Sequence, residues 1–344
     1  MRSPLGKISV RRLLDENVHV LLVITAPVLI LMAIDPDSFV AGWNEGRGGL
    51  VFALFFGAVE WYDLRPTHSI VNRKTLSIWA IAAGLLSVFY LGIFSLGLTD
   101  LLVSGGRVLG LPEMPKMFSW MAMCEYAVFG VYIMTVLASS YGLRNFKMYV
   151  TPIAYLFGMA VIFFLDAAFP YDQLGPLQAI VLLLVPPVAW LLNIFGITTR
   201  WRESPARLYV YCSDNGSLIP RGALDFFWPC VGVQSMIIFG LIIVVLVAKL
   251  DAPNHRKIIY GLTGAAGTVA INILRIFAIS YTLAIYGIEK AKAFHESFGE
   301  ILFLVWIVVF LVVAIKVEDR ISLTATKEDQ LITGPASIPV PKWG

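Results

Sequence analysis

The chain has 344 residues, of which 58% are hydrophobic and 14% charged, and its mean hydropathy is +0.79. A soluble domain of that composition would have too few polar side chains to cover its surface, so a water-soluble globular protein is excluded. Lys and Arg number 26 against 23 Asp and Glu; a net charge of +3 leaves no electrostatic footprint for a nucleic-acid partner.

In chain order, apolar stretches run at roughly 18–34, 49–61, 76–98, 118–139, 149–168, 177–197, 229–249, 258–287 and 299–316. Most are about 17–25 residues long, enough for a helix to cross roughly 30 Å of hydrocarbon. The alternating segments of an outer-membrane barrel are absent. The fold class is therefore all-α and polytopic. The first stretch follows Lys7, Arg11 and Arg12 and is not followed by a small-residue cleavage site, so it reads as a retained first span.

The connections carry the topology. Arg65, Arg73 and Lys74 follow the second stretch and Arg144 and Lys147 the fourth; Lys249, His255, Arg256 and Lys257 separate the seventh from the eighth. Lys316, Arg320 and Lys327 follow the last, and the positive-inside rule places all of these loops in the cytoplasm of a multi-pass plasma-membrane protein. Three apolar stretches then lie between the cytoplasmic loops at 140–148 and 250–257, an odd number, so one of them makes no full crossing. The stretch 177–197, interrupted by Pro186-Pro187, is the first choice for a re-entrant or interfacial segment, with 149–168 as the alternative. That leaves about eight transmembrane helices. Residues 198–228 then face outside, where 207–220 reads as a β-hairpin turning at Asp214-Asn215-Gly216. Its neighbourhood carries Arg200, Arg202, Arg207 and Arg221, against the charge rule. The expected divisions are a membrane region at 1–148, a core at 149–320 and a polar, disordered cytoplasmic tail at 321–344.

On this topology three reactive side chains reach one depth. Cys230 lies 19 residues before Lys249, about 28 Å along a straight helix. Arg275 lies 17 residues after Ile258, about 26 Å up the ascending helix, and His295 lies 21 residues before Lys316, about 32 Å up the descending one. Cys230 follows Pro229 in the first turn of its helix, where the positive end of the dipole favours a thiolate. An imidazole can carry the proton of acyl transfer, and a guanidinium is a fixed charge for an oxyanion. Each residue also has a plain structural reading. A lone cysteine in an apolar segment is usually an inert small hydrophobe, as Cys124 and Cys212 are expected to be, and an interfacial arginine can snorkel to phosphate. The spacing of Gly261, Gly264 and Gly267 reads as close helix packing. His295-Glu296 lacks the second histidine of a zinc protease, so neither metal nor cofactor is expected.

The sequence around these positions resembles the exosortase/archaeosortase family. Cys230-Val231-Gly232-Val233-Gln234-Ser235 resembles its C-x-G-x-x-S segment, Asn272-Ile273-Leu274-Arg275-Ile276 its N-x-x-R-I helix, and His295-Glu296-Ser297-Phe298-Gly299 its H-x-x-x-G element. The loop Trp43-Asn44-Glu45-Gly46-Arg47-Gly48 is similar to one in archaeal members. Val231 departs from the usual C-S-G continuation. The resemblance implies an extracytoplasmic cysteine transpeptidase that cleaves the C-terminal sorting signal of membrane-anchored precursors and passes the new C-terminus to an acceptor, a lipid in archaeal relatives. Cys230 would be the nucleophile, His295 the acid/base and Arg275 the electrostatic stabiliser, with Asn272 and Ser235 as supporting hydrogen-bonders. A plain intramembrane protease using water is one rival. A transporter with Arg275 as an anion-binding residue is another, although no internal repeat is visible.

Overall fold

The computed structural model describes residues 10–40, 46–64, 72–111, 116–143, 149–169, 175–203, 206–214, 217–228, 231–250, 252–298 and 301–333. In chain order the elements are α1 (Val10–Ile34), α2 (Asp37–Val40), α3 (Gly48–Leu64), α4 (Arg73–Ser95), α5 (Leu98–Val108), α6 (Lys116–Tyr141), α7 (Val150–Ala168) and α8 (Gly175–Ile194). Then come β1 (Thr198–Glu203), β2 (Ala206–Asp214), β3 (Ser217–Asp225), α9 (Val233–Lys249), α10 (Asn254–Tyr286), α11 (Ile288–Phe298) and α12 (Ile301–Thr333). Every apolar stretch read from the sequence is helical over most of its described length, because a backbone in hydrocarbon must satisfy its polar groups within itself. Six helices (α4, α6, α7, α8, α10 and α12) are long and apolar enough to cross a membrane, and shorter apolar helices lie in α1, α3 and α9.

Two apolar clusters hold these elements. The larger joins α1, α3, α4, α6, α7, α9 and α12 through buried side chains such as Phe56, Phe129, Leu156, Phe239 and Phe303. Phe239 stacks on Phe303 at 5.1 Å between centroids. On the outside, Ile81, Leu85 and Val305 stand more than half exposed, as hydrocarbon-facing residues do. Two of the three spaced glycines are contact points. A Cβ on Gly267 would fall inside the ring of Trp306, and one on Gly264 would press on Ile243 and Phe310, whereas Gly261 meets nothing within 4 Å. Glycine thus lets α10 approach α9 and α12 closely.

The bundle has two chemically distinct ends. At one, Lys249 at the end of α9 and Thr151 at the start of α7 both donate to Glu60 on α3, whose side chain is buried. Arg256 approaches Glu318 at 3.5 Å, and Tyr260 donates to the same carboxylate at 2.7 Å, joining α10 to α12. The start of α9, the end of α10, α11 and the sheet form the opposite end.

The second cluster sits there. It joins α8, the antiparallel sheet β1-β2-β3, the C-terminal half of α10 and α11 through Val185, Leu208, Trp228, Leu283 and Ala291. Along β2, Ala206, Leu208 and Val210 are buried while Arg207, Tyr209 and Tyr211 alternate with them on the other face. The Cys212 thiol, within β2, points its weak donor at the Ala284 carbonyl at 3.3 Å.

Three expectations change here. The 207–220 hairpin is part of a three-stranded sheet, with β1 added on one side and β3 running on to Asp225. Pro186-Pro187 does not interrupt its segment: α8 is one helix of 20 residues, since missing proline donors cost individual bonds without unwinding the turns around them. Helix α12 continues to Thr333, so 321–333 is helical where a disordered tail was expected, and 334–344 lies outside the described residues.

The contacts of α8 show how it lies. Gln178, near its start, bonds to Phe226 and Trp228, and Phe195, just past its end, packs on Phe277 and Tyr281. Those rings stand only about 8–14 Å along α10 beyond Asn272, which bonds to Val231, whereas α8 is about 30 Å long. Helix α8 is thus tied to the sheet-bearing end of the bundle at both of its own ends, by Gln178 to the segment before α9 and by Phe195 to α10.

Candidate functional site

The site is built around the segment that leads into α9. Pro229 and Cys230 lie outside the described residues; their neighbours Trp228 and Val231 are both buried, at 0% and 7% exposure. Two side chains hold this segment from either side. Gln178 on α8 donates from Nε2 to the Phe226 carbonyl at 2.8 Å and accepts the Trp228 N–H on Oε1 at 3.1 Å. Asn272 on α10 donates from Nδ2 to the Val231 carbonyl at 3.0 Å and meets Met236 Sδ at 3.0 Å.

Gly232 caps α9 with φ of +79°, a left-handed conformation that favours glycine. It is also an approach point. A Cβ there would fall well inside van der Waals contact of Asn272 Oδ1 and Arg275 Nη1. The backbone after Cys230 thus lies directly against Asn272 and Arg275, which share one face of α10 because they are three residues apart.

Arg275 is 1% exposed, among the largest fully buried side chains, and its Nη2 lies 3.5 Å from His295 Nε2. A guanidinium only donates, so the contact uses an imidazole whose Nε2 is unprotonated. The expected approach of Arg275 and His295 is present. His295 is on α11, the helical segment Ile288–Phe298 that precedes α12. Gly287, at φ of +85°, ends α10, after which α11 turns back and buries Ala291 in the second cluster while Lys290 stays exposed. Ser235 is buried at 2% in the first turn of α9.

Sequence reasoning missed Gln178 and Gln234. Each is an amide in an apolar helix, the signal that marks a polar group with a task inside a membrane protein. Gln234, next to Ser235, is 3% exposed, and its Nε2 has no hydrogen-bond partner among the described residues; the Trp228 Nε1 likewise has none. Two buried donors without acceptors therefore flank the Cys230 position in sequence. Replacing Gln178 by Leu would strand the Phe226 carbonyl and the Trp228 N–H together. The substitution is expected to cost about 1–3 kcal/mol, read as a lower unfolding temperature in detergent. An unchanged unfolding temperature would mean that α8 does not hold this segment.

A second polar cluster lies at the start of α3. Arg47 makes a bidentate pair with Glu125 on α6 at 2.9 and 2.7 Å, and its Nη1 reaches Asp35, past the end of α1, at 2.7 Å. The guanidinium also lies over the rings of Tyr90 and Phe94 on α4, at 5.7 and 5.1 Å. Burial works against its charge, but the hydrogen bond and charge of Glu125, helped by Tyr90 and Asp35, hold its pKa above the ordinary range. Within the loop singled out from the sequence, Arg47 is thus a tie between α1, α3, α4 and α6; Trp43, Asn44 and Glu45 lie outside the described residues.

Fold and site together define a polytopic helical membrane protein in which a buried arginine meets a half-buried histidine near a small sheet. The chain belongs to the transmembrane exosortase family, whose model matches residues 43–312. Neither a curated protein nor a solved structure matches it. Family membership supports a membrane-embedded sorting peptidase or transpeptidase and implies substrates that carry C-terminal sorting signals.

Proposed function

We propose that the chain is a cysteine-dependent sorting transpeptidase with Cys230 as nucleophile, His295 as acid/base and Arg275 as electrostatic stabiliser, working at the extracytoplasmic face. The observation that carries this reading is the 3.5 Å approach of Arg275 and His295 against the backbone that follows Cys230. In the first half-reaction the Cys230 thiolate attacks the carbonyl carbon of the scissile peptide, and Arg275 stabilises the oxyanion. The carbon–nitrogen bond breaks, the leaving amine takes from His295 the proton that the Cys230 thiol gave it on becoming a thiolate, and a thioester remains. In the second, an acceptor nucleophile gives its proton to His295 and attacks the thioester, which restores the cysteine. Asn272 supports the loop through Val231, and Ser235 lies in the next turn of α9.

The acceptor we favour is a membrane lipid, because the site lies beside α8, where lipid headgroups and an emerging substrate chain would meet. The face assignment rests on the basic residues gathered at the opposite end of the bundle, around Lys249, Arg256 and Lys316.

The test is Cys230→Ala in cells that express a precursor with a C-terminal sorting signal. Processing is expected to stop and the uncleaved precursor to accumulate at unchanged enzyme level. Processing at the parent rate would refute the nucleophile assignment. Mass analysis of the new C-terminus separates a lipid-bearing product from the free carboxylate that water would leave.

A further inference from the structure

The arginines of the sheet are not explained by the reaction. Strand pairing sets Arg200 opposite Tyr209 and Arg202 opposite Arg207, so β1 and β2 present these residues together on one face, with Tyr211 opposite Thr198. On β3, Ala223 and Asp225 are exposed opposite Tyr209 and Arg207 while Gly222 and Leu224 turn inward, and Arg221 is the exposed extra residue of the bulge between Pro220 and Gly222, at the edge of that face. Arg207 is paired with Asp225. Arg200 lies over the ring of Tyr211 at 6.0 Å, and no carboxylate partners Arg200, Arg202 or Arg221 among the described residues. Three uncompensated, exposed guanidinium groups thus stand beside an aromatic row.

Helix α8 fixes the level of this face relative to the hydrocarbon. Leu183, Trp190 and Ile194 stand 74%, 63% and 59% exposed on the side of α8 away from its buried row, a stripe that water would not tolerate on a free helix. Strand β1 begins at Thr198, four residues after Ile194, and brings Trp201 to the edge at 40% exposure. Arginines that follow so soon after a lipid-facing stripe, with tryptophans at the transition, stand at headgroup depth.

We propose that the outer face of the sheet is a binding surface for the phosphates of anionic membrane phospholipids, held by Arg200, Arg202 and Arg221. It would keep the sheet and α8 seated on the bilayer, a role that does not depend on the assignment of Cys230. It also accounts for basic residues on the side of the membrane where the charge rule does not expect them. Each arginine near an anionic surface contributes about fivefold in affinity, so three together contribute on the order of a hundredfold at low salt.

The experiment uses the full chain in zwitterionic lipid nanodiscs doped with photoreactive phosphatidylglycerol or photoreactive phosphatidylcholine, with labelled sites mapped by mass spectrometry. The phosphatidylglycerol probe is expected to label 198–225 in preference to its neutral counterpart. In Arg200→Gln/Arg202→Gln/Arg221→Gln, the concentration needed for half-labelling there is expected to rise on the order of a hundredfold. Labelling at the basic end, around Lys249 and Lys316, should hold and serves as the control for folding. Equal labelling of 198–225 by both headgroups, or an unchanged concentration dependence in the triple variant, would overturn the proposal. If instead a soluble acidic peptide loses binding to the triple variant while lipid labelling stays, the face belongs to a peptide and the lipid assignment fails.

Discussion

Gly232→Ala is expected to reduce precursor processing on the order of a hundredfold while the chain remains in the membrane. Two costs act together. The residue sits at φ of +79°, where a side chain adds about 1–2 kcal/mol of backbone strain. The new methyl would also overlap Asn272 Oδ1 and Arg275 Nη1. Neither neighbour can withdraw without disturbing the groups packed around it, since Asn272 is 0% and Arg275 1% exposed. Arg275 must therefore shift away from α9, and its 3.5 Å approach to His295 moves with it. A displacement of about 1 Å in a positioned group commonly costs a factor of about 100 in rate. The measurement is the rate of appearance of cleaved precursor, normalised to enzyme in the membrane fraction. A normal rate would mean that the backbone after Cys230 does not need its close seat on α10.

The same contact shows which parts of the site were readable in the sequence. The apolar stretches were legible because hydrocarbon imposes a length and forbids charge, and each appears as a helix. The convergence of Arg275 with His295 at the end of the bundle opposite Lys249 was legible from residue counts and from the family resemblance. The seat of His295 was not, because residue counts give a depth along a helix and not the face that it turns to Arg275. Nor could pattern reading reach Gln178. It bonds to backbone groups 48 and 50 residues away, and a single amide between Leu177 and Ala179 says nothing about where its partners are. Strand β1 escaped for a similar reason: its Thr-Thr-Arg-Trp-Arg-Glu has no apolar alternation, and pairing with β2 makes it a strand.

Helix α8 links these pieces to function. Its double proline does not break it, and the helix runs continuously from Gly175 to Ile194. It sends Gln178 to the segment before Cys230 and leads directly into β1. One element thus holds the loop of the proposed nucleophile and seats the arginine-bearing sheet beside lipid. A substrate whose cleavage site emerges from a neighbouring span would meet both.

The second large effect is expected at Arg47. Removing its charge by Arg47→Met leaves the Glu125 carboxylate, with a side chain only 9% exposed, without its bidentate partner. A buried charge stripped of its partner typically costs about 3–5 kcal/mol, enough to lower the unfolding temperature in detergent clearly. The Asp35 arm contributes less, because that carboxylate is 36% exposed and water takes over when the guanidinium leaves. Adding Glu125→Gln to Arg47→Met is therefore expected to recover much of the loss, since the amide removes the stranded charge. The double variant would still lack the contacts of the guanidinium with Tyr90 and Phe94. If the double variant unfolds at the same temperature as the single one, the cost comes from lost packing on those rings and not from the ion pair, and Arg47 acts as a spacer between α3 and α4. If it recovers, the loop at the start of α3 is tied down by charge to α6, at the same end of the bundle as the site.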